Sequence, residues 1–385
     1  SRMLHNAVAN LPRYAVSPGI NTLAGSFAGV PAILVAAGPS LDKNIDQLHA
    51  AKGKALILAT DTAFKILDAH GIVPDMVFTI DFKPESARHF EGMDTVCVPV
   101  VFNLDAAPEG LALCRGQSFA MATTLPVNSW ITAIAGKKGT INTGMSVAHA
   151  VFASAVYMGC DPIIFIGQDL SYPGGVTHAR GTGSREQVTD MLNRPGERMM
   201  KVVSELTGEE LVTREDMYVY LRHFESLISQ TTCRCINATE GGAGIKGTSV
   251  MTLSDAIDEY CRQPVDAAGV LAAAAAAYVP PSAAAVRGGI DDLLRQIRPV
   301  IDAAEEVINL LTRILALFEN GPADREQVRA LLASTREPAR IVREAEALLR
   351  IIHTELVREL LQMRREGRVE AETFAAQGGG QVKTA

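Results

Sequence analysis

The chain has 385 residues, of which 48% are hydrophobic and 21% charged, the balance of a globular protein long enough for more than one domain. Its 36 basic and 43 acidic residues give a net charge of -7 without a long basic run, which argues against a nucleic-acid partner. No apolar stretch reaches the roughly 18 residues of a membrane span, and the start lacks a signal peptide, so we expect a cytoplasmic protein. Because the chain begins with Ser1 rather than methionine, we expect a fragment or a tag remnant.

Short apolar segments alternate with longer amphipathic ones from Pro31 to about Cys261, as in proteins whose strands return through crossover helices. Helices are predicted over Thr62–His70 and Ser146–Met158, each closed by a glycine. Six segments are continuous and β-branched, as strands buried on both faces are: PAILVAA, ALILAT, MVFTI, VCVPVVF, SFAMAT and DPIIFIG. The sequence therefore predicts an α/β, Rossmann-like fold with a largely parallel sheet flanked by helices.

The chain changes character after the sixth strand, where residues 171–184 form a long Gly-rich loop of the kind that is usually functional. A hairpin is predicted around Gly208, followed by a helix to Gln230 that a capping box at Thr213 and Asp216 should open. The segment RCINATEGGAGIKGT then predicts a short strand and a second Gly-rich loop.

Composition shifts predict five regions along the chain. They are an N-terminal lead-in at 1–30 that is a remnant of a missing domain, a Rossmann-like core at 31–264, an Ala-rich linker or helix at 265–287, a C-terminal helical hairpin or bundle at 288–370, and a disordered tail at 371–385.

Polar residues follow each of the predicted strands, at the edge where open parallel sheets bind ligands. They are Gly38-Pro39-Ser40, Asp61-Thr62, Asp81, Asn103, Thr123-Thr124 and Gln168-Asp169. Any single one is equally compatible with a turn or a helix cap, but six at one edge indicate a binding site.

Two junctions offer backbone N–H groups to an anion. In LVAAGPSLDKN, Gly38 allows close backbone approach and Ser40 is placed to cap the next helix. In INTGMSVAHA, Thr143, Gly144 and Ser146 precede a second helix. Two helix N-termini facing one crevice suit a nucleotide, although each junction alone is also typical of an ordinary capped helix.

His178 is the candidate general base, because it lies in the Gly-rich loop after the strand that ends at Asp169. Histidine titrates near neutral pH and can deprotonate an acceptor hydroxyl, although chance placement in a surface loop is equally compatible with its position. His149, on an Ala-rich helix, is more typical of a core histidine than of a catalyst.

Motifs for metal sites are missing from the sequence, including His-x-x-x-His, Asp-x-Asp and paired Cys-x-x-Cys. The six cysteines are scattered, and Cys233-Arg-Cys235 is too tight for a zinc knuckle. We therefore predict metal-independent chemistry, no cofactor, and cysteines that are reduced and mostly structural.

An ordered set of segments resembles the Maf family, the motility-associated factors of flagellated bacteria, over about Ile20 to Tyr260. The segments are GPSLDKNIDQL, ATDTAFKILDAHGIVPDMVFTID, SARHFEG, NTGMSVAHAVFASAVYMGCDPIIFIGQDLSY, THARG, HFESLI and INATEGGAGIKGT. The resemblance implies a glycosyltransferase that moves a nonulosonic acid of the pseudaminic, legionaminic or sialic acid type from its CMP conjugate to serine or threonine hydroxyls of flagellin, in support of flagellum assembly and motility. The Maf core is similar in turn to bacterial sialyltransferases that use CMP-sialic acid.

The resemblance also implies an inverting transfer with roles for particular residues. Asp169 and Glu240 would support a cationic transition state, and His178 would deprotonate the acceptor. The nucleotide-binding residues would be Gly38, Pro39, Ser40, Asp61, Thr62, Asp81, Asn103, Thr143, Gly144, Ser146 and Gly167.

Two other interpretations stay open. The archaeal 6-hydroxymethylpterin diphosphokinases share the Gly-Pro-Ser-Leu and Asp-x-Ala pattern, and would transfer pyrophosphate from ATP with Mg²⁺. That family tends to have two carboxylates where this chain has Asp81 alone. A non-catalytic flagellin-binding assembly factor would instead use the amphipathic C-terminal helices.

Overall fold

The computed structural model describes residues 2–93, 97–123, 131–132, 134–182, 185–192, 198–204, 206–319 and 324–345. The predicted tail at 371–385, the helical segment predicted beyond residue 345, and Thr124 lie outside these ranges. Two compact units divide the chain, and we call them the core unit, within 2–124 and 135–280, and the C-terminal unit, within 125–134 and from 281 onward.

An eight-stranded sheet forms the centre of the core unit, and its strand pairs are all parallel. Its strands are β1 Ala32–Val35, β2 Leu56–Thr60, β3 Met76–Thr79, β4 Val100–Asn103, β5 Ser118–Met121, β6 Ile163–Ile166, β9 Cys235–Asn237 and β10 Ser249–Val250. The six predicted strands are β1 to β6, and the predicted short strand is β9. The separate pair β7 Met199–Val203 and β8 Glu210–Arg214 is the predicted antiparallel hairpin. The Rossmann-like sheet is therefore confirmed.

The order of the strands is β10-β9-β6-β1-β2-β3-β4-β5, which places β1 between β2 and β6. The chain runs outward from β1 to β5 and then returns to the other side of β1. Val35 is in register with both Ala59 and Ile166, so the ends of these strands lie at one level. Such a reversal opens a crevice outside the carboxyl ends of the two strands that flank it.

Helices of the core unit connect these strands. They are α1 Arg2–Val16, α2 Leu41–Asn44, α3 Leu48–Ala51, α4 Asp61–Ala69, α5 Pro108–Leu113, α6 Val147–Met158, α7 Val188–Leu192, α8 Glu215–Ser229, α9 Leu253–Tyr260 and α10 Ala267–Ala276. The C-terminal unit contains α11 Ala283–Glu319, which packs against α12 Arg325–Ser334 and α13 Arg336–Glu344. Within the described ranges, no helix is both long and apolar enough to cross a bilayer.

Local capping explains where the two predicted helices begin and end. The Thr60 hydroxyl accepts the N–H of Ala63 at 3.3 Å at the start of α4. The Ser146 hydroxyl accepts the N–H of His149 at 3.4 Å at the start of α6. Gly159 ends α6 at φ 86°, a left-handed conformation that glycine adopts readily. Both predicted helices are confirmed.

The predicted capping box at the start of α8 is wrong. The N-cap of α8 is Arg214, whose side chain makes no capping hydrogen bond. The Thr213 hydroxyl instead donates to the Leu170 carbonyl at 2.8 Å, and Asp216 pairs with Arg214. Thr213 is fully buried, so a tertiary contact has taken the hydroxyl that the motif assigned to the helix.

Helix α1 lies against the core unit through two buried asparagines. The Asn10 amide donates to the carbonyls of Leu104 and Ala106 at 2.9 and 2.7 Å. The Asn6 amide makes similar bonds to Phe82 and Asp105. The lead-in predicted at 1–30 therefore contains a helix of the core unit. The Ala-rich segment at 265–287 contains α10 and the first residues of α11.

Lys138 joins distant parts of the core unit from a buried position, where it is 1% exposed. Its ammonium donates to the Ser17 carbonyl and the Tyr278 hydroxyl, both at 2.6 Å, and to the Ala15 carbonyl at 3.3 Å. It also lies 4.5 Å from the centre of the Tyr278 ring. Burial lowers the pKa of Lys138 to about 8, below its ordinary value of 10.5.

Replacing Lys138 by methionine keeps much of the side-chain volume but removes the donor from buried carbonyl groups. We expect Lys138→Met to lower the free energy of unfolding by about 1–3 kcal/mol, the cost of a lost buried hydrogen-bond partner. The neighbouring Lys137 is exposed, so Lys137→Met should stay within about 0.5 kcal/mol of the parent protein. Urea unfolding at pH 7 measures both, and equal effects would contradict the role assigned to Lys138.

Candidate functional site

A cavity of about 210 Å³ lies at the reversal of the sheet, outside the carboxyl ends of β1 and β6. Four parts of the core unit line it: the turn after β1 (Ala36, Ala37 and Gly38), the starts of α4 and α6 (Thr60, Thr62, Ser146, Val147 and Ala148), the segment after β6 (Gly167 to Tyr172, with Thr177 and His178), and one face of α8 (Met217 and Tyr220). The crevice predicted from the strand ends is therefore present in the fold.

Six of the predicted site residues line this cavity together, although they come from four separate stretches of the chain. They are Gly38, Thr62, Ser146, Gly167, Asp169 and His178. The segment that contains His178 belongs to the predicted Gly-rich loop, and the N–H of Ala179 ties it to the turn after β1 by donating to the Ala37 carbonyl at 2.9 Å.

The turn after β1 holds the carboxylate of Asp169. The backbone N–H of Ser40 donates to Oδ2 of Asp169 at 3.1 Å, and the Ser40 hydroxyl donates to the same oxygen at 2.8 Å. A Cβ on Gly38 would overlap that oxygen and lie 2.5 Å from the Gly167 carbonyl oxygen. The glycine and the serine of Gly-Pro-Ser are therefore required because the carboxylate of Asp169, three residues after the end of β6, packs directly onto this turn.

The predicted helix-capping role of Ser40 is wrong. Ser40 has a helical backbone conformation (φ -65°, ψ -21°) and makes no side-chain bond to α2, which is only four residues long. Both of its donors serve Asp169, so the anion held at this turn is a side chain of the protein. The site of a ligand phosphate has to be sought at other helix N-termini.

Two longer helices begin at the cavity instead. Thr60 and Thr62 mark the start of α4, while Ser146 and Val147 mark the start of α6. Unpaired N–H groups and the helix dipole make such termini favourable for anions. Two helix N-termini do therefore face one crevice, but the first belongs to α4 rather than to the helix after Gly38.

Asp169 is 2% exposed, and burial raises its pKa to about 6. The N–H and hydroxyl of Ser40 and the charge of Lys43 act in the opposite direction. Its second oxygen, Oδ1, has no hydrogen-bond partner among the described residues. At neutral pH the cavity wall thus contains a largely ionised carboxylate. Its Oδ2 is held by Ser40, whereas its Oδ1 can still accept a hydrogen bond.

Asp61 and Glu240 have mainly structural contacts. Asp61 is 2% exposed, its Oδ1 accepts the Thr62 N–H at 2.8 Å, and burial raises its pKa to about 6. Oε1 of Glu240 accepts the Asn44 amide and the Leu253 N–H, both at 3.1 Å. Neither residue is among those that line the cavity, so the proposed catalytic contact of Glu240 gains no support from its position.

The remaining predicted residues are not among those that line the cavity. Asn103 ends β4, which is three strands away from β1, and Asp81 follows β3, where its Oδ1 accepts the Lys83 N–H at 3.0 Å. Thr143 and Gly144 precede Ser146, the actual N-cap of α6, and Pro39 lies between Gly38 and Ser40. Their contact with a nucleotide stays a prediction.

The contribution of α8 to the cavity was not predicted from the sequence. Met217 and Tyr220 are three residues apart, so they share a face of the helix, and both line the cavity. In the sequence this spacing cannot be distinguished from an ordinary core-facing pair. Tyr172, six residues after the end of β6, also lines the cavity.

His149 fastens α6 to α8 beside the cavity. Its Nδ1 lies 2.7 Å from the Ser146 hydroxyl, and its Nε2 lies 3.0 Å from the Tyr220 carbonyl. Burial lowers the pKa of His149 to about 4, so the ring is neutral at pH 7. The prediction of a core histidine is confirmed, and its effect is to position Ser146 and Tyr220.

Comparison with known proteins gives two partial sequence matches. A family model described as 6-hydroxymethylpterin diphosphokinase MptE-like matches residues 5–175, less than half of the chain. An uncharacterised protein of Treponema pallidum is 37% identical over 83 residues, which cover 20% of this chain and 36% of the relative. The chain thus spans about a third of the length of that relative.

The fold is similar to a solved structure over nearly its whole length. The Maf glycosyltransferase of Magnetospirillum magneticum AMB-1 matches 97% of this chain with a TM-score of 0.56 and 15% sequence identity. The match covers 61% of that larger protein. The chain therefore has the fold of a Maf glycosyltransferase, which confirms at the level of fold the resemblance seen in its motifs.

Proposed function

We propose that this protein is a glycosyltransferase that moves a nonulosonic acid from its CMP conjugate to a hydroxyl group of an acceptor protein. The observation that carries the proposal is the cavity at the sheet reversal, whose wall combines two helix N-termini, a buried carboxylate and a histidine. This combination matches a donor that has an anionic phosphate next to a carbon that becomes cationic in the transition state.

The donor phosphate would lie at the starts of α4 and α6. Val147 and Ala148, the first two residues of α6, line the cavity there, and the helix dipole favours an anion at this terminus. The volume of about 210 Å³ is small for a whole nucleotide sugar, since drug-sized ligands occupy about 300–1,000 Å³. The nucleoside would therefore extend along the strand ends, which are spaced about 4.8 Å apart, toward Asp81 and Asn103.

Asp169 would stabilise the developing positive charge on the sugar. As the bond between the anomeric carbon and the phosphate oxygen breaks, CMP leaves with the bonding electrons and the sugar gains cationic character. A fixed carboxylate in a largely dry wall acts strongly on such a charge, because little reorganisation is needed. Ser40 supplies the fixation through its N–H and hydroxyl bonds to one oxygen of Asp169.

His178 would take the proton from the acceptor hydroxyl as that oxygen bonds to the anomeric carbon. Its Nδ1 lies 3.1 Å from the Thr177 hydroxyl, which orients the ring within the segment that lines the cavity. Attack from the side opposite the leaving CMP would invert the anomeric configuration. The resemblance to Maf proteins supports serine and threonine hydroxyls of flagellin as the acceptors, and hence a role in flagellum assembly and motility.

The second candidate function is pyrophosphoryl transfer from ATP, which the description of the family model matching residues 5–175 favours. The same helix N-termini would bind the ATP phosphates, and Mg²⁺ would need carboxylate ligands. Within the described residues, no group of three or more histidine, cysteine, aspartate or glutamate side chains is arranged to hold a metal ion. We favour glycosyl transfer because Asp169 and His178 line one cavity and because the fold is similar to that of a Maf glycosyltransferase over 97% of the chain.

A thermal-shift titration with CMP, CDP and ATP, each with Mg²⁺ or with EDTA, separates the two functions. A ligand at about 100 times its dissociation constant adds roughly 2.7 kcal/mol of apparent stability. We expect CMP and CDP to raise the unfolding temperature equally with Mg²⁺ and with EDTA. Stabilisation by ATP alone, and only with Mg²⁺, would support pyrophosphoryl transfer instead.

His178→Ala should separate catalysis from donor binding. We expect turnover to fall by about 10²–10⁴-fold, the usual range for a lost general base, with little change in CMP affinity. His49→Ala is the matched control, because His49 is an exposed histidine outside the cavity. Unchanged turnover in His178→Ala would remove this residue from the mechanism.

The pKa of Asp169 predicts a pH-dependent gain of stability in Asp169→Asn. Folding raises this pKa from 3.8 to about 6, so the parent protein loses stability as pH rises through this window. Below about pH 4, Asp169→Asn and the parent should have the same free energy of unfolding. Above pH 6 the variant should be more stable by up to about 3 kcal/mol, since each unit of pKa shift corresponds to about 1.4 kcal/mol. Its turnover should be lost.

Asp258→Asn, at an exposed position, serves as the control and should show a stability difference that does not vary with pH. Denaturant titrations at pH 4 and pH 7.5 measure the effect. An Asp169→Asn variant that is less stable than the parent at both pH values would show that the carboxylate is retained for structure.

A further inference from the structure

Two cysteines lie side by side at the amino end of β9, whereas the cavity lies at the carboxyl ends of β1 and β6. The Sγ atoms of Cys233 and Cys235 are 4.0 Å apart. Cys233 is half-buried and Cys235 is 5% exposed. Neither residue lines the cavity, so the pair is separate from the proposed transferase site.

The surroundings of the pair make its two thiols different. The Thr231 hydroxyl donates to Sγ of Cys233 at 3.2 Å, and the Cys235 thiol lies within sulfur hydrogen-bonding distance of the same atom. Both contacts favour the thiolate and lower the pKa of Cys233, whereas the hydrogen bond to Cys233, followed by burial, raises the pKa of Cys235. The more exposed sulfur is thus the more nucleophilic one at neutral pH.

The residue between the two cysteines holds them in this arrangement. The N–H of Arg234 donates to Oδ1 of Asp161 at 2.9 Å, and its guanidinium pairs with the same carboxylate. The Arg234 carbonyl accepts the Ile163 N–H at 2.8 Å, which anchors the segment to β6. With Arg234 turned toward Asp161, the side chains on either side of it approach each other.

We propose that Cys233 and Cys235 form a redox modification site, at which a peroxide converts the two thiols to an intrachain disulfide. The Cys233 thiolate attacks one peroxide oxygen, the O–O bond breaks, and hydroxide leaves with the electron pair. The resulting sulfenic acid is attacked by the Cys235 sulfur, the S–O bond breaks, and water is released with the thiol proton. Two sulfurs are oxidised, two oxygens are reduced, and two waters form in total.

The geometry needs only a small local change for this reaction. A disulfide has an S–S length of about 2.05 Å, so the two sulfurs must approach by roughly 2 Å. Cys233 lies before β9 begins, where a side-chain rotation does not disturb the pairing of β9 with β6. The thiol that is accessible attacks the oxidant and the buried thiol resolves the product, which is the arrangement of oxidisable cysteine pairs.

The test uses the full chain, reduced and then treated with hydrogen peroxide. We expect intact mass to fall by two hydrogens, peptide mapping to place the disulfide between Cys233 and Cys235, and dithiothreitol to reverse it. In Cys235→Ser the resolving thiol is missing, so a dimedone-reactive sulfenic acid should accumulate at Cys233. Cys233→Ser should show neither product.

Cys97 provides the matched control, because it is an exposed cysteine outside the pair. Cys97→Ser should still form the disulfide, and iodoacetamide at pH 7 should label Cys233 of the reduced parent faster than Cys97. A disulfide that maps to other residues, or labelling of Cys233 no faster than that of Cys97, would overturn the proposal. Neither readout depends on a nucleotide or an acceptor.

Discussion

The contact between the Asp169 carboxylate and the turn after β1 is the constraint on which the rest of the site depends. It joins the two strands that flank the reversal of the sheet, and it does so at the level where both strands end. Because one oxygen packs against Gly38, a side chain larger than hydrogen cannot be placed there. The two hydrogen bonds from Ser40 then fix the orientation of the carboxylate.

This contact gives the cavity an internal electrostatic contrast. The buried carboxylate is negative on one wall, whereas the first turn of α6 presents the positive end of a helix dipole. A ligand that has an anionic part and a part that becomes cationic would be oriented by this contrast, with each part against the wall of opposite sign. Burial of Asp169 costs stability, and a cost of this kind is often maintained at functional sites.

The fold alone does not choose between the two proposed chemistries, since both use phosphate at helix N-termini in an open parallel sheet. The choice rests on the residues around the phosphate position. A buried carboxylate and a histidine that line one cavity, Asp169 and His178, suit stabilisation of a cationic sugar and deprotonation of an acceptor, whereas phosphoryl transfer calls for several carboxylates around Mg²⁺. The cysteine pair at the amino end of β9 would act independently of either chemistry.

Much of the architecture is already determined by the sequence. Continuous β-branched segments and well-placed glycines determined β1 to β6, α4, α6 and the hairpin, because these signals are local and depend on hydrophobic period and backbone conformation. The crevice also followed from the sequence, since parallel strands place their polar end residues at one edge of the sheet. The motifs shared with Maf proteins also predicted the fold of the Maf glycosyltransferase that the structure matches.

Only the tertiary structure decided which polar groups bind each other. Ser40 was expected to cap a helix and Thr213 to open one, but the first serves Asp169 and the second bonds to Leu170. Hydroxyl and carboxylate groups have several acceptable partners, and the choice depends on which groups are buried together, sometimes 129 positions apart. The contribution of Tyr220 to the cavity was hidden for the same reason, because the packing of α8 onto the site leaves no local signal in the sequence.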